Sequence, residues 1–198
     1  MTSDIHTQIR DFLENTAITS MMEDEELYAT ENYLKAGVVP FVPGNPYRFY
    51  AMKPQNKVPS LGEPPFQICK GTRMHYVPDV GWKDIKEFKH RTDEVETLAQ
   101  TAVRECIEEL GLKMSNIVKL YNMGPYEFSS ATTGRSRTMW LFASEIADQK
   151  NFLPTSEIAA STAERKWFSS EEFNVEGRED HRYILKDIET RLAAVYKE

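Results

Sequence analysis

Residues 93–112 read DEVETLAQTAVRECIEELGL, and their periodicity predicts one amphipathic helix. Asp93 followed three residues later by Glu96 has the spacing of a capping box, so the helix is expected to start there. Gly111 stands where a left-handed residue would cap its C-terminus. Between these ends Val95, Leu98, Ala99, Ala102, Val103, Cys106 and Leu110 form one apolar stripe. Cys106 lies within that stripe and reads as a packed thiol rather than a nucleophile.

The carboxylates on the same wheel carry the chemistry. At about 100° per residue, Glu105, Glu108 and Glu109 fall within roughly a 100° sector beside the stripe. Like charges at such spacing repel unless something positive sits among them. A cluster of hard oxygen donors suits Mg²⁺ or Mn²⁺ and not zinc, which prefers His and Cys. Arg104, one turn before Glu108, is placed to orient or partly neutralise it. Taken alone, each glutamate would be explained by an acidic solvent face with an i,i+4 ion pair.

The whole string resembles the signature of the Nudix hydrolase family, G-x5-E-x7-R-E-U-x-E-E-x-G-U with U aliphatic. Glu96, Arg104, Glu105, Glu108, Glu109, Gly111 and Leu112 match at the required spacing, and Cys106 replaces the first aliphatic residue. Average residue frequencies put a chance match on the order of one in a million per chain of this size. The leading glycine of the pattern falls on His90. Family members often reach that glycine through a strand ending in Pro-Lys-Gly or Pro-Gly-Gly, and Cys69-Lys70-Gly71 looks like such an ending. Gly71 is therefore taken as the displaced glycine, with residues 72–92 inserted before the helix.

The resemblance implies an α+β fold, a Nudix-type α/β/α sandwich with a mixed β-sheet between helices. It implies a pyrophosphohydrolase acting on a nucleoside diphosphate derivative such as a nucleotide sugar, ADP-ribose or a dinucleoside polyphosphate. RNA 5′ ends and oxidised nucleotides are equally open as substrates. Glu105, Glu108 and Glu109 would hold one to three Mg²⁺ (or Mn²⁺) ions, with Arg104 beside them and Glu96 and Gly111 supporting loop and helix. Family members commonly add an acidic residue from a later loop; Glu157 and Glu164 are the candidates, with Glu127 behind them. Lys70 and Arg73, flanking the glycine, and Arg135 and Arg137 are candidate phosphate contacts. Two other classes share the fold. A catalytically silent nucleotide-binding or regulatory module is disfavoured by the intact acids. An isomerase of the isopentenyl diphosphate type would need a Cys and His motif that is not found.

Outward from this segment the organisation is that of one domain spanning 1–198. Residues 1–35 form a helical N-terminal extension: Ile5, Ile9, Phe12 and Leu13 recur at helical spacing, and the acidic run 23–26 reads as a solvated helical face. Residues 36–41 and 47–52 read as a hairpin across Pro43-Gly44-Asn45. Seven of the ten prolines lie between 40 and 65, which marks edge strands and loops. Residues 66–69, 117–121, 138–143 and 165–168 supply further strands. A closing helix carries Ile184, Ile188, Leu192 and Val195 on one face. The inserted residues include Met74, Tyr76, Val77, Val80, Trp82, Ile85 and Phe88, too apolar for a solvent loop. The insertion either folds over the site, with Trp82 as a stacking surface, or pads the sheet or a second subunit.

Composition narrows the classes further. The net charge is −7, from 24 Lys and Arg against 31 Asp and Glu. That argues against a broad nucleic-acid-binding surface but not against an anionic substrate, because bound cations invert the local field. No apolar run approaches the ~20 residues needed to span a bilayer, and the first residues lack a secretory pattern. Cys69 and Cys106 are too few for a disulfide framework, so a cytoplasmic setting is expected. A small-molecule nucleotide partner, and a homodimer as an allowed assembly, complete the reading.

Overall fold

The computed structural model describes residues 4–22, 33–57, 59–85, 94–129 and 136–197. The acidic run 23–26, Phe88, His90, Asp93 and Arg135 lie outside them. Helix α1 (Ile5–Glu14) precedes strands β1 (Ile18–Ser20), β2 (Lys35–Val42), β3 (Arg48–Pro54) and β4 (Gly71–Thr72). Strands β5 (Met74–Val77) and β6 (Gly81–Asp84) lead to helix α2 (Leu98–Leu110). Then come β7 (Ile117–Ser129), β8 (Ser136–Ile146), β9 (Thr162–Phe168), α3 (Ser170–Glu176) and α4 (Glu179–Val195).

Among the described residues, seven strands make one mixed sheet in the order β1-β7-β8-β2-β3-β9, with β4 paired to the start of β2. The β1–β7 and β2–β8 pairs are parallel and the others antiparallel. Strand β2 shows why helices cover both faces. Ala36 and Val38 pack with Leu98, Ala102, Cys106 and Leu110 of α2. Val39 and Phe41 turn to the other side and join Ile184, Leu185, Ile188 and Leu192 of α4. The alternation of a pleated strand thus sorts its apolar residues between two helical layers.

Several expectations are corrected. Helix α2 is capped by Thr97, whose hydroxyl accepts from Gln100 N at 3.1 Å while the Gln100 side chain accepts from Thr97 N at 2.7 Å. Glu96 is not part of a capping box because its carboxylate is drawn inward by Arg104. The N-terminal extension is not only helical, since β1 pairs Ile18 with Leu120. Residues 66–69 form no continuous strand. Their amides go to separate partners, Phe66 N to Glu176 O, Gln67 N to Met52 O, and Ile68 N to His181 Nδ1. Gly111 does adopt the left-handed conformation at φ 73° and closes α2 with bonds to Cys106 and Ile107 carbonyls.

Residues 74–84 of the inserted segment form the β5–β6 hairpin, apart from the main sheet. It is tied to the approach to α2 by Tyr76 N to Glu94 O and Glu96 N to Met74 O. One face of Trp82 is taken within the protein. It stacks on His6 of α1, with ring centroids 4.0 Å apart and planes 17° from parallel.

Candidate active site

Two elements converge at the start of α2's last two turns. Gly71 in β4 runs against the helix so closely that a Cβ there would lie 1.7 Å from Glu105 Cδ. The glycine is required by space, since any side chain must displace the carboxylate. Behind it, the Arg104 guanidinium, with 3% of its side chain exposed, uses all its nitrogens. Nε donates to Glu96 Oε1 at 2.7 Å and Nη2 to Glu96 Oε2 at 3.2 Å and Thr72 O at 2.8 Å. Nη1 donates to Glu105 Oε1 at 2.8 Å and Glu108 Oε2 at 3.0 Å. Glu96 is further held by Met74 N at 2.9 Å and Thr101 Oγ1 at 3.1 Å.

The acids differ in environment. Burial pushes Glu105 up to about 7, with Arg104 opposing the shift and Glu109 and Glu108 reinforcing it. Glu109 is also raised, by burial first, against the Cys69 thiol and the Lys70 ammonium and amide that favour its charge. Glu108 remains about half exposed. Lys70 is held down to about 8 by burial and then by Arg178, while its ammonium lies 5.3 Å from the Phe128 ring centroid. Cys69 and Cys106 lie against each other beneath this cluster, and burial raises the Cys69 thiol well above its ordinary range. They read as packing groups.

The remaining sequence candidates fall apart in space. Arg73 spends its guanidinium on the Glu96 and Tyr33 carbonyls, at 2.6–3.3 Å. Arg137 is exposed opposite Phe128 in the β7–β8 ladder. Glu164 pairs with Lys53 at 3.3 Å. Glu157 ends an exposed turn, Thr155–Glu157, whose continuation bonds α2 through Ala159 N to Glu108 O and Thr162 Oγ1 to Glu109 O. Glu127 is exposed on β7. Sequence reasoning missed Thr72, Met74 and Thr101 as supports. Two of them act through backbone atoms, which leave no residue signature; Thr101 alone was visible as a polar residue beside the apolar stripe.

Among the described residues no three His, Cys, Asp or Glu side chains already enclose a common point, because Glu105 and Glu108 are turned onto Arg104. The donor set nonetheless fits a divalent cation. It is all oxygen, two of its three acids are raised by burial and then by neighbouring carboxylates, and Gly71, having no side chain, lets the β4 backbone lie directly against Glu105. No helix among the described residues is long and apolar enough to cross a membrane.

No curated protein matches the chain in sequence. Its fold is similar to that of an Ap4A hydrolase from C. elegans, at 14% identity and TM-score 0.53, covering 81% of this chain and 97% of that one. A putative NUDIX hydrolase from Listeria monocytogenes matches at 18% identity and TM-score 0.53, over 81% and 94%. The NUDIX domain of Shewanella oneidensis NrtR, solved with ADP ribose, matches at 14% and 0.53, over 92% and 97%. The family model described as the NUDIX domain matches residues 82–188, more than half of the sequence and all of α2. The chain belongs to the Nudix family.

Proposed function

We infer that this Nudix pyrophosphohydrolase cleaves a phosphoanhydride bond in a nucleoside diphosphate derivative, using Mg²⁺ held by Glu105, Glu108 and Glu109. The observation that carries the reading is the convergence of Gly71 with the crowded carboxylates of α2. Nudix hydrolases generally use divalent metal ions. The cation, when bound, neutralises phosphate oxygens and lowers the pKa of a coordinated water.

The chain's own residues supply the setting. Glu105 and Glu109 are fixed on adjacent turns, with Glu108 at the solvent side. Arg104 holds Glu105 and Glu108 in register from behind. Lys70, whose ammonium makes no hydrogen bond or ion pair among the described residues, supports a phosphate contact beside Glu109. Arg137 is the weaker companion, and Arg73 serves the loop. For the added acid, Glu157 is favoured over Glu164, whose carboxylate is engaged with Lys53. The buried free thiols suit a cytoplasmic setting.

A panel of nucleotide sugars, ADP-ribose and dinucleoside polyphosphates, assayed for product release with and without Mg²⁺, tests the proposal. Metal-dependent cleavage of at least one compound is expected. Saturable binding without cleavage of any would make the chain a nucleotide-sensing module instead.

A further inference from the structure

The Glu96 carboxylate receives a contact from outside the matched family span. His6 Nδ1 lies 3.1 Å from Glu96 Oε1, the same oxygen that accepts from Arg104 Nε. A carboxylate paired with a guanidinium only accepts, so Nδ1 must carry the proton and donate. Both side chains are largely shielded, 13% exposed for His6 and 2% for Glu96. The imidazole has little freedom to leave. One face is covered by Trp82, and Tyr76 meets that indole edge-on at 5.8 Å. Its helix is anchored by Ile9, which is buried, and by Phe12 and Leu13 packed against the α2 cluster.

We propose that His6 is a positioning residue for the metal-binding carboxylates, acting through Glu96 and Arg104, with Trp82 holding its ring in place. The route is short and mechanical. A guanidinium is a rigid plane, so fixing Nε and Nη2 on Glu96 and Thr72 sets the direction of Nη1. Nη1 in turn holds Glu105 Oε1 and Glu108 Oε2. Anything that lets Glu96 turn therefore lets both acids turn. The N-terminal helix and the inserted hairpin, two additions flanking the signature, meet at this one carboxylate, His6 at Oε1 and Met74 N at Oε2. They clamp the support of the site.

This inference rests on the proposed metal-dependent activity, and its test separates the two. Four proteins are compared: wild type, His6→Ala, His6→Phe and His6→Asn. Phenylalanine keeps a ring against Trp82 but removes the donor, and asparagine places an amide nitrogen where Nδ1 was. Mn²⁺ binding to the metal-free proteins is read by calorimetry, beside kcat, KM and the Mg²⁺ concentration for half-maximal rate. Removing an outer-shell partner of a metal ligand costs roughly 10–100-fold. His6→Phe and His6→Ala should each weaken Mn²⁺ binding about tenfold and raise the Mg²⁺ requirement to match. KM should stay within about twofold, because the substrate contacts are untouched. His6→Asn should restore most of the loss. Wild-type Mn²⁺ affinity in a folded His6→Phe protein overturns the proposal. So does an equal loss in His6→Asn and His6→Phe, which would make imidazole shape the cause. A wild type that binds Mn²⁺ but cleaves nothing overturns the activity, and the binding series still decides the role of His6.

Discussion

The two ends of helix α2 are built on opposite principles. At its N-terminal approach, Glu96 is buried and fully partnered, with two contacts from Arg104 and others from Met74 N, Thr101 and His6. Two turns further on, Glu105 and Glu109 are also withdrawn from water, and burial, with repulsion from neighbouring carboxylates behind it, raises the affinity of both for protons. One carboxylate is satisfied by the protein and rigid. The others are left with unmet demand for positive charge, the condition under which a cation binds strongly. The contrast separates a rigid support from a crowded, poorly neutralised cluster.

The largest expected effect breaks the unsatisfied end. Glu109→Gln or Glu108→Gln should lower turnover by at least ~100-fold while the fold survives, because charge developing on phosphate loses its counterion. Steady-state kinetics with circular dichroism checks this, and near-normal rates in both variants would remove the metal site from these acids. Next comes the space between the two elements. Gly71→Val should cost roughly 10–100-fold in hydrolysis, the scale for a disturbed support of a metal ligand, since its Cβ lands on the Glu105 carboxylate. Equal activity would mean that Glu105 can move away without consequence.

Perturbing the satisfied end should read out differently. Glu96→Gln keeps the shape but weakens charge-assisted bonds worth about 1.5–3 kcal/mol each, so thermal stability should fall with activity rather than independently of it. A large activity loss at unchanged stability would place Glu96 among the ligands instead.

The smallest effect concerns pH in the metal-free protein. Glu105 titrates at about 7 when folded against an ordinary 4.5, so the folded state binds the extra proton between those values. Its contribution to stability is present below pH 4.5 and is lost as pH rises to about 7. His181 works in the other sense. Burial, with Lys70 and Arg178, pushes it down to about 2, so its contribution holds above pH 6.5 and is lost as pH falls below that. Melting temperatures of wild type and Glu105→Gln at pH 5 and 7.5 isolate the first arm. The advantage of the glutamine variant should grow with pH; a constant difference would contradict the raised carboxylate.

The local features of α2 were legible in the residues themselves. Its apolar stripe, its glycine cap at Gly111 and the spacing of Arg104, Glu105, Glu108 and Glu109 follow from a period of 3.6, which one sequence window contains. The α4 face was legible for the same reason, and the β2–β3 hairpin from its short apolar runs on either side of Pro43-Gly44-Asn45. Gly71 was found because a short local pattern marked it. What no window contains is contact between distant segments. The capping of α2 by Thr97, not Asp93, followed from Glu96 being drawn to Arg104 inside the fold. The pairing of His6 with Glu96 spans 90 positions, and the stacking of Trp82 on His6 could not be read from an apolar hairpin alone. Charge spacing along a helix is set by covalent geometry, whereas which carboxylate is satisfied and which is left wanting depends on the segments that tertiary packing brings against it.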